Sequence, residues 1–226
     1  MTSKLALTCI LLLSVLGYSY SQDMTGRDIK DHMLIDLAKK TNHRVEDFEG
    51  SPFLNDDFVS GEVYSSKKSY TNLPLRYNIF NDNMEFKQNG TVYALYPEPR
   101  ILKVLLGDEV YVVEKHEVKG KMTPGYLERL DSGKVTLFAK KIVRFTEKQE
   151  PKALESKGKP ATFTRAQDTY YYKIGNGEAI KVGSLKNLIE NLPDKKDEMA
   201  TFAKKEKISV RSESDLLHLV KYYNSL

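Results

Sequence analysis

The chain has 226 residues, with 35 Lys and Arg against 31 Asp and Glu, a formal net charge of +4, one cysteine and no tryptophan. The lone Cys9 excludes an internal disulfide and a thiolate metal cluster. The charge is mild and alternates in sign, and no basic block carries interleaved aromatics, so no nucleic acid is expected as a partner.

In chain order, residues 1–21 read as a secretory signal peptide. Lys4 supplies the positive start, residues 5–18 are apolar, and Ser19-Tyr20-Ser21 offers a small-x-small cleavage pattern. The apolar run falls short of the roughly 20 residues a membrane helix needs, and no later run is long enough, so the mature chain is expected to carry no transmembrane segment. Cys9 follows Thr8 in the middle of the run, the wrong place for lipid attachment. The implied address is outside the cytoplasm: periplasm, cell envelope or beyond.

Residues 22–50 form an N-terminal arm. Within residues 28–40, Ile29, Met33, Leu34 and Leu37 recur at helical spacing between charges, which predicts a short helix or an arm. After Gly50-Ser51-Pro52 the period switches to two, and residues 51–146 read as an antiparallel β-meander. Asn89-Gly90 is the strongest turn signal, since a type I′ turn needs positive φ at both central residues. That turn sets Phe86 opposite Tyr93 and Met84 opposite Leu95, with Glu85 and Lys87 on the other face. A two-residue turn at Asp82-Asn83 would place Ile79 opposite Phe86. Gly107-Asp108 joins residues 101–106 to 109–114, two strands apolar on both faces and therefore central. Ser132-Gly133 joins residues 126–131 to 134–145, and Pro74 is expected at a strand start or an edge.

Residues 147–168, polar and punctuated by Pro151, Gly158 and Pro160, read as an exposed connection. Residues 169–226 supply a last hairpin and three helices. Tyr170 and Tyr172 should face one way and Tyr171 the other. Ser184 caps the first helix and Pro193 stops it, while Asp194 is placed to cap the second. Ser212 opens the third with the Ser-x-x-Asp spacing of a capping box, followed by Leu216, Leu219, Val220 and Tyr223 as one apolar stripe. The fold class expected is α+β, mostly β: an antiparallel meander or a closed barrel-like sheet, closure being favoured because open edges are sticky, with the C-terminal helices packed on it.

Reaction signatures are missing. The four histidines, His32, His43, His116 and His218, do not pair at metal spacing, and Asp56, Asp57 and Asp82 lack the central glycine of a calcium loop, so no metal site and no cofactor are expected. No serine lies in a Gly-x-Ser-x-Gly elbow, and no catalytic residue is assigned. The candidate binding residues are Arg76, Asn78, Glu85 and Lys87, on the less apolar face of the first hairpins.

The runs Phe58-Val59-Ser60-Gly61-Glu62-Val63, Leu75-Arg76-Tyr77-Asn78-Ile79-Phe80 and Met84-Glu85-Phe86, with Leu192-Pro193-Asp194-Lys195-Lys196 and Leu219-Val220-Lys221-Tyr222-Tyr223-Asn224 near the end, resemble a pattern in exported envelope proteins of the Bacteroidota that have no assigned activity. The resemblance implies a Gram-negative envelope address and no catalytic residue. The expectation is an exported, non-catalytic protein that binds an unidentified envelope partner or ligand. Two alternatives are a lipocalin-like carrier of a small apolar molecule, with Tyr77, Phe86, Tyr93 and Leu95 lining its cavity, and a hydrolase of an unrecognised kind.

Overall fold

The computed structural model describes residues 37–41, 48–151 and 158–226. The signal peptide, Cys9, His32, His43 and the first part of the N-terminal helix expectation lie outside the described residues. Ala38–Lys40 is a strand, β1, rather than the end of a helix. It pairs antiparallel with β6 from Ala38↔Leu95 to Lys40↔Tyr93, so backbone pairing at an open edge overrides the helical spacing of the side chains.

Among the described residues twelve strands form one sheet. After β1 come β2 (Phe48–Glu49), β3 (Val59–Ser65), β4 (Ser69–Asn78), β5 (Asn83–Gln88), β6 (Thr91–Leu95) and β7 (Ile101–Leu106). They are followed by β8 (Glu109–Val118), β9 (Lys121–Asp131), β10 (Val135–Thr146), β11 (Ala161–Ile174) and β12 (Ile180–Lys181). The order across the sheet is β1-β6-β5-β4-β3-β7-β8-β9-β10-β11-β12, with β2 added parallel to β11. The body is mostly β with helices at the C-terminus, as expected, and of the two expected forms the sheet takes the open one: β1 and β12 are its ends and do not pair. It rolls instead. Bulges between Gly61 and Val63 and between Tyr64 and Ser65 bend β3, which pairs with β4 on one side and β7 on the other. At Gly61 a Cβ would lie 2.5 Å from the Leu105 carbonyl oxygen and 2.7 Å from Leu75 Cδ1, so only glycine lets the roll tighten there. Across the roll, the Tyr126 hydroxyl donates to the Leu95 carbonyl at 3.3 Å, linking β9 to β6.

The Asn89-Gly90 hairpin has the expected register, with Phe86↔Tyr93 and Met84↔Leu95. The preceding turn does not. Asn78 pairs with Asn83 and Leu75 with Phe86, leaving residues 79–82 as a four-residue loop. Ile79 is not opposite Phe86. The slip is even-numbered, so Leu75, Tyr77, Met84 and Phe86 still share the apolar face. Pro74 sits inside β4 rather than at its start, opposite Ser60 and just outside the β4–β5 ladder, so β4 is locally an edge at the residue that has no N–H to offer. The exposed connection is shorter than expected, because Ala161 to Asp168 belong to β11. Pairs such as Phe145↔Phe163 and Thr146↔Thr162 extend the strand through that polar stretch.

Three helices follow: α1 (Leu185–Glu190), α2 (Lys196–Lys205) and α3 (Glu213–Ser225). No helix among the described residues is long and apolar enough to cross a membrane. Ser184 caps α1 by accepting from Asn187 N, and Ser212 caps α3 by accepting from Asp215 N. Asp194 does not cap α2. Lys195, at φ 58°, is the N-cap, and Asp194 Oδ1 accepts the Tyr223 hydroxyl at 2.7 Å, tying α3 to the α1–α2 connection.

One sheet face carries two cores. The rolled half buries Val63, Leu75, Tyr77, Phe86, Tyr111 and Tyr126 against itself. The flatter half buries Val135, Leu137, Tyr170 and Tyr172 against Leu188, Met199, Leu216, Leu219 and Tyr223 of the helices. Tyr171 points the other way, into a smaller cluster with Leu127, Phe138 and Ala179, the alternation a strand imposes. Asn224 of α3 completes the docking: its side chain accepts from Val135 N and donates to Val135 O and to Asp131. Leu219 is 0% exposed. Leu219→Ala should therefore lower the unfolding free energy by about 2–5 kcal/mol, read as a drop in the urea midpoint.

Candidate functional site

Strands β9 and β10 pair only from Leu137↔Asp131 to Ala139↔Glu128. Beyond that point β9 stays with β8, out to Val118↔Lys121, and β10 stays with β11, out to Thr146↔Thr162. The sheet thus forks into two hairpin arms that leave the common ladder on the same side. At the root of the fork, Tyr126 has backbone groups for which β10 supplies no strand partner.

The loop between β4 and β5 fills this gap. Asp82, at φ 49°, a conformation aspartate tolerates, directs its carboxylate there. Asp82 Oδ1 accepts from Tyr126 N at 3.4 Å and from the Tyr77 hydroxyl at 2.7 Å, and it meets Lys140 Nζ at 2.5 Å. Lys140 Nζ in turn donates to the Tyr126 carbonyl at 3.0 Å and to the Tyr77 hydroxyl at 3.3 Å. A carboxylate and an ammonium stand in for the missing strand, one satisfying the N–H and the other the C=O of a single residue. Burial lowers the Lys140 pKa below its ordinary value, against the pull of Asp82, and burial followed by Asp82 raises the Tyr77 hydroxyl well above its own. At neutral pH the tyrosine is a neutral donor to the carboxylate.

Gly125 lies against this group. A Cβ there would come within 2.4 Å of His116 Cε1 and 2.7 Å of Asp82 Oδ2, so the missing side chain leaves room for both. His116 is 1% exposed, with Nδ1 3.2 Å from the Glu114 carbonyl and its ring edge-on to Tyr171. Burial depresses its pKa, Lys140 adds to the effect, and the Glu114 carbonyl and Asp82 oppose it. The cluster has the residue types of an acid–base centre, but each contact named here supports the backbone or the packing of the fork.

The four candidate binding residues also come together. Arg76 pairs with Glu85 at 2.9 Å and donates to the Asp56 carbonyl at 2.9 Å. Its guanidinium lies 3.6 Å from the Phe53 ring centroid and 4.4 Å from that of Phe58. Glu85 and Asn78 are each 1% exposed and joined at 3.1 Å, while Lys87 is exposed, with its ammonium 5.0 Å from the Phe58 ring centroid. Residues 51–58 cover this face, which the sequence presents as open. Asn78 Oδ1 accepts from Asn81 N at 3.0 Å, and the Pro52 carbonyl accepts from Ile79 N and Phe80 N. The polar set braces the β4–β5 loop from one side as Asp82 and Lys140 brace it from the other.

That loop presents Phe80, which is 48% exposed. Its ring centroid is 5.1 Å from that of Phe163 and 5.8 Å from that of Phe145, and Phe163 also meets Phe145 at 4.8 Å and Phe48 at 5.0 Å. Four phenylalanines from β2, the loop, β10 and β11 thus form one exposed cluster. Phe48 and Phe145 are 37% and 38% exposed. At about 200 Å² per ring-bearing side chain, roughly 250 Å² of aromatic surface meets water. Sequence reading missed this cluster. Its only local sign is that Phe145 and Phe163 are each flanked by polar residues, Arg144 and Thr146 for one and Thr162 and Thr164 for the other.

The carrier lining is filled by its own side chains. Phe86 stacks on Tyr93 at 5.2 Å, Tyr77 packs on Tyr111 at 5.2 Å, and Tyr77, Phe86 and Leu95 are 0% exposed. His218 is exposed, edge-on to Phe202. Among the described residues no group of three or more His, Cys, Asp or Glu side chains is arranged to hold a metal ion. No protein-family model matches the chain, and neither a curated protein nor a solved structure does.

Two consequences can be measured. Asp82→Asn keeps the backbone conformation but leaves the Lys140 ammonium buried without its counter-ion, so it should cost about 3–5 kcal/mol in urea unfolding. Adding Lys140→Met should recover part of that loss. The second concerns pH. With His116 held below its ordinary pKa in the folded state, the unfolded chain takes up its proton first as pH falls. Stability should be intact above about pH 6.5 and lost as pH drops from there through the lowered folded value. The urea midpoint followed from pH 7.5 to 5 should show this decline, and His116→Gln should flatten it.

Proposed function

We propose that the chain is an exported, non-catalytic binding protein that docks at the cell envelope through the phenylalanine cluster. The observation that carries this reading is a cluster of four phenylalanines, in which Phe163 packs against Phe48, Phe80 and Phe145 and Phe80 is presented to water by a loop braced from both sides. The largest exposed apolar patch of a protein is often a functional surface. The envelope address rests on the signal-peptide pattern of residues 1–21 and on the resemblance to exported Bacteroidota proteins. Preorganisation matters because a rigid loop loses little entropy on binding. Arg76, Asn78 and Glu85 act here as positioning residues for Phe80, and Lys87 stays on the exposed side of the same hairpin.

The test is co-sedimentation of the purified chain from Gln22 onward with envelope membranes. The wild type should pellet with the membranes, and Phe80→Ser/Phe145→Ser should reduce the bound fraction at least tenfold with an unchanged far-ultraviolet circular dichroism spectrum. Equal recovery of the two proteins, or failure of the wild type to pellet, would overturn the reading.

A further inference from the structure

The cluster is part of a larger pattern. Nine large apolar residues are exposed among the described residues, and five of them, Phe48, Phe80, Val118, Met122 and Phe145, belong to the two arms of the fork, the loop between them or the short strand beside them. Val118 and Met122 occupy the tip of the β8–β9 arm, while the phenylalanines gather on and beside the β10–β11 arm. Both tips lie on the same side of the fork, because β9 and β10 run antiparallel away from their shared ladder. Exposed cations accompany them. Lys115, Lys119 and Lys121 stand against Glu117 on one arm, and Arg144, Lys148, Lys159 and Arg165 stand against Glu147 and Glu150 on the other.

From this arrangement we infer that the fork end is a peripheral membrane-binding face, which seats Phe80, Phe145 and Met122 among the lipids of an anionic leaflet while the lysines and arginines meet the headgroups. The inference rests on the docking role proposed above and names its occupant. Three observations favour lipid over a protein partner. The rings touch one another, so the cluster offers area without a slot for an anchoring side chain, and a fluid hydrocarbon layer fits any contour. The aromatic area is roughly 250 Å², well under the approximately 800 Å² that each partner of a stable protein complex buries. Cations outnumber acids on the arms, the complement of an anionic surface. An apolar area this small gives weak, reversible attachment by itself, and the basic residues supply the second contribution that stable attachment needs.

The experiment uses the chain from Gln22 onward and protein-free vesicles of phosphatidylcholine mixed with phosphatidylglycerol, whose headgroup gives the leaflet its negative charge. The wild type should sediment with them, more weakly with pure phosphatidylcholine, and Phe80→Ser/Phe145→Ser should lose at least tenfold. Since the chain has no tryptophan, Phe145→Trp gives a single reporter that keeps an aromatic ring in place. Its emission should shift to the blue when these vesicles are added, while Leu102→Trp, at a 56% exposed position on β7, should not shift. Binding to envelope membranes without binding to protein-free vesicles would overturn the lipid inference and leave the docking role standing, with a protein as the occupant. An unshifted Phe145→Trp on vesicles that do bind the chain would also overturn it. Failure on both kinds of membrane would remove the docking role as well.

Discussion

The structure depends on the pair formed by Asp82 and Lys140. A sheet that forks must leave backbone groups unpaired at the root, and an unpaired buried amide or carbonyl costs about as much as the hydrogen bond it lacks. Here both open groups belong to Tyr126, and one side chain from the β4–β5 loop and one from β10 answer them. The same contact pins the rolled half of the sheet against the flatter half. Without it, the roll would be held across to β9 and β10 by apolar packing, which is strong but not directional, and by the single hydrogen bond from the Tyr126 hydroxyl to the Leu95 carbonyl.

An ion pair in this position contributes more to specificity than to net stability. Burial works against the Lys140 charge, so much of the attraction to Asp82 offsets desolvation. The gain lies in register, since the pair forms only when the loop has its observed four-residue length and Asp82 its left-handed backbone. A second, half-buried lysine shows the same economy of placement. Lys141 bridges Glu128 at 2.7 Å and Asp168 at 2.9 Å where two residues of β11 face one of β10, so the bulge that kinks the edge also brings its counter-ion into reach. Burial opposes the charge of Lys141, but the two carboxylates hold its pKa above the ordinary lysine value.

The proposed function follows from the same geometry. Residues that would be a plain solvated strand face, Arg76, Asn78 and Glu85, lie under residues 51–58 and stiffen the loop that carries Phe80. The fork spreads two arms, and the loop wedged between them completes an aromatic surface that no single strand could build. Rigidity and exposure are usually opposed in a loop. Here they coexist because the polar contacts point inward and the ring points out.

Much of the fold was legible in the sequence because it rests on local rules. Period-two alternation and the Asn89-Gly90 turn set the β5–β6 register to the residue, and Ser184 and Ser212 marked two helix starts by side-chain capping. The stripe Leu216, Leu219, Val220 and Tyr223 identified the face that docks. Features set by partners distant in sequence were not legible. The Asp82-Asn83 signal is real turn chemistry, but the loop length was decided by Tyr126 and Lys140, 44 and 58 positions further on. Asp194 has the chemistry of a cap and serves Tyr223 instead. The polar stretch before Thr169 became strand because β10 was there to pair with it. The phenylalanine cluster lies furthest from sequence reach: its four rings come from four elements, each unremarkable alone. Local composition determined which elements form and which faces are apolar, since those depend on neighbours a few residues away. The open roll, the fork and the exposed aromatic face were decided by tertiary structure, since only folding sets which distant backbone groups are left for side chains to satisfy.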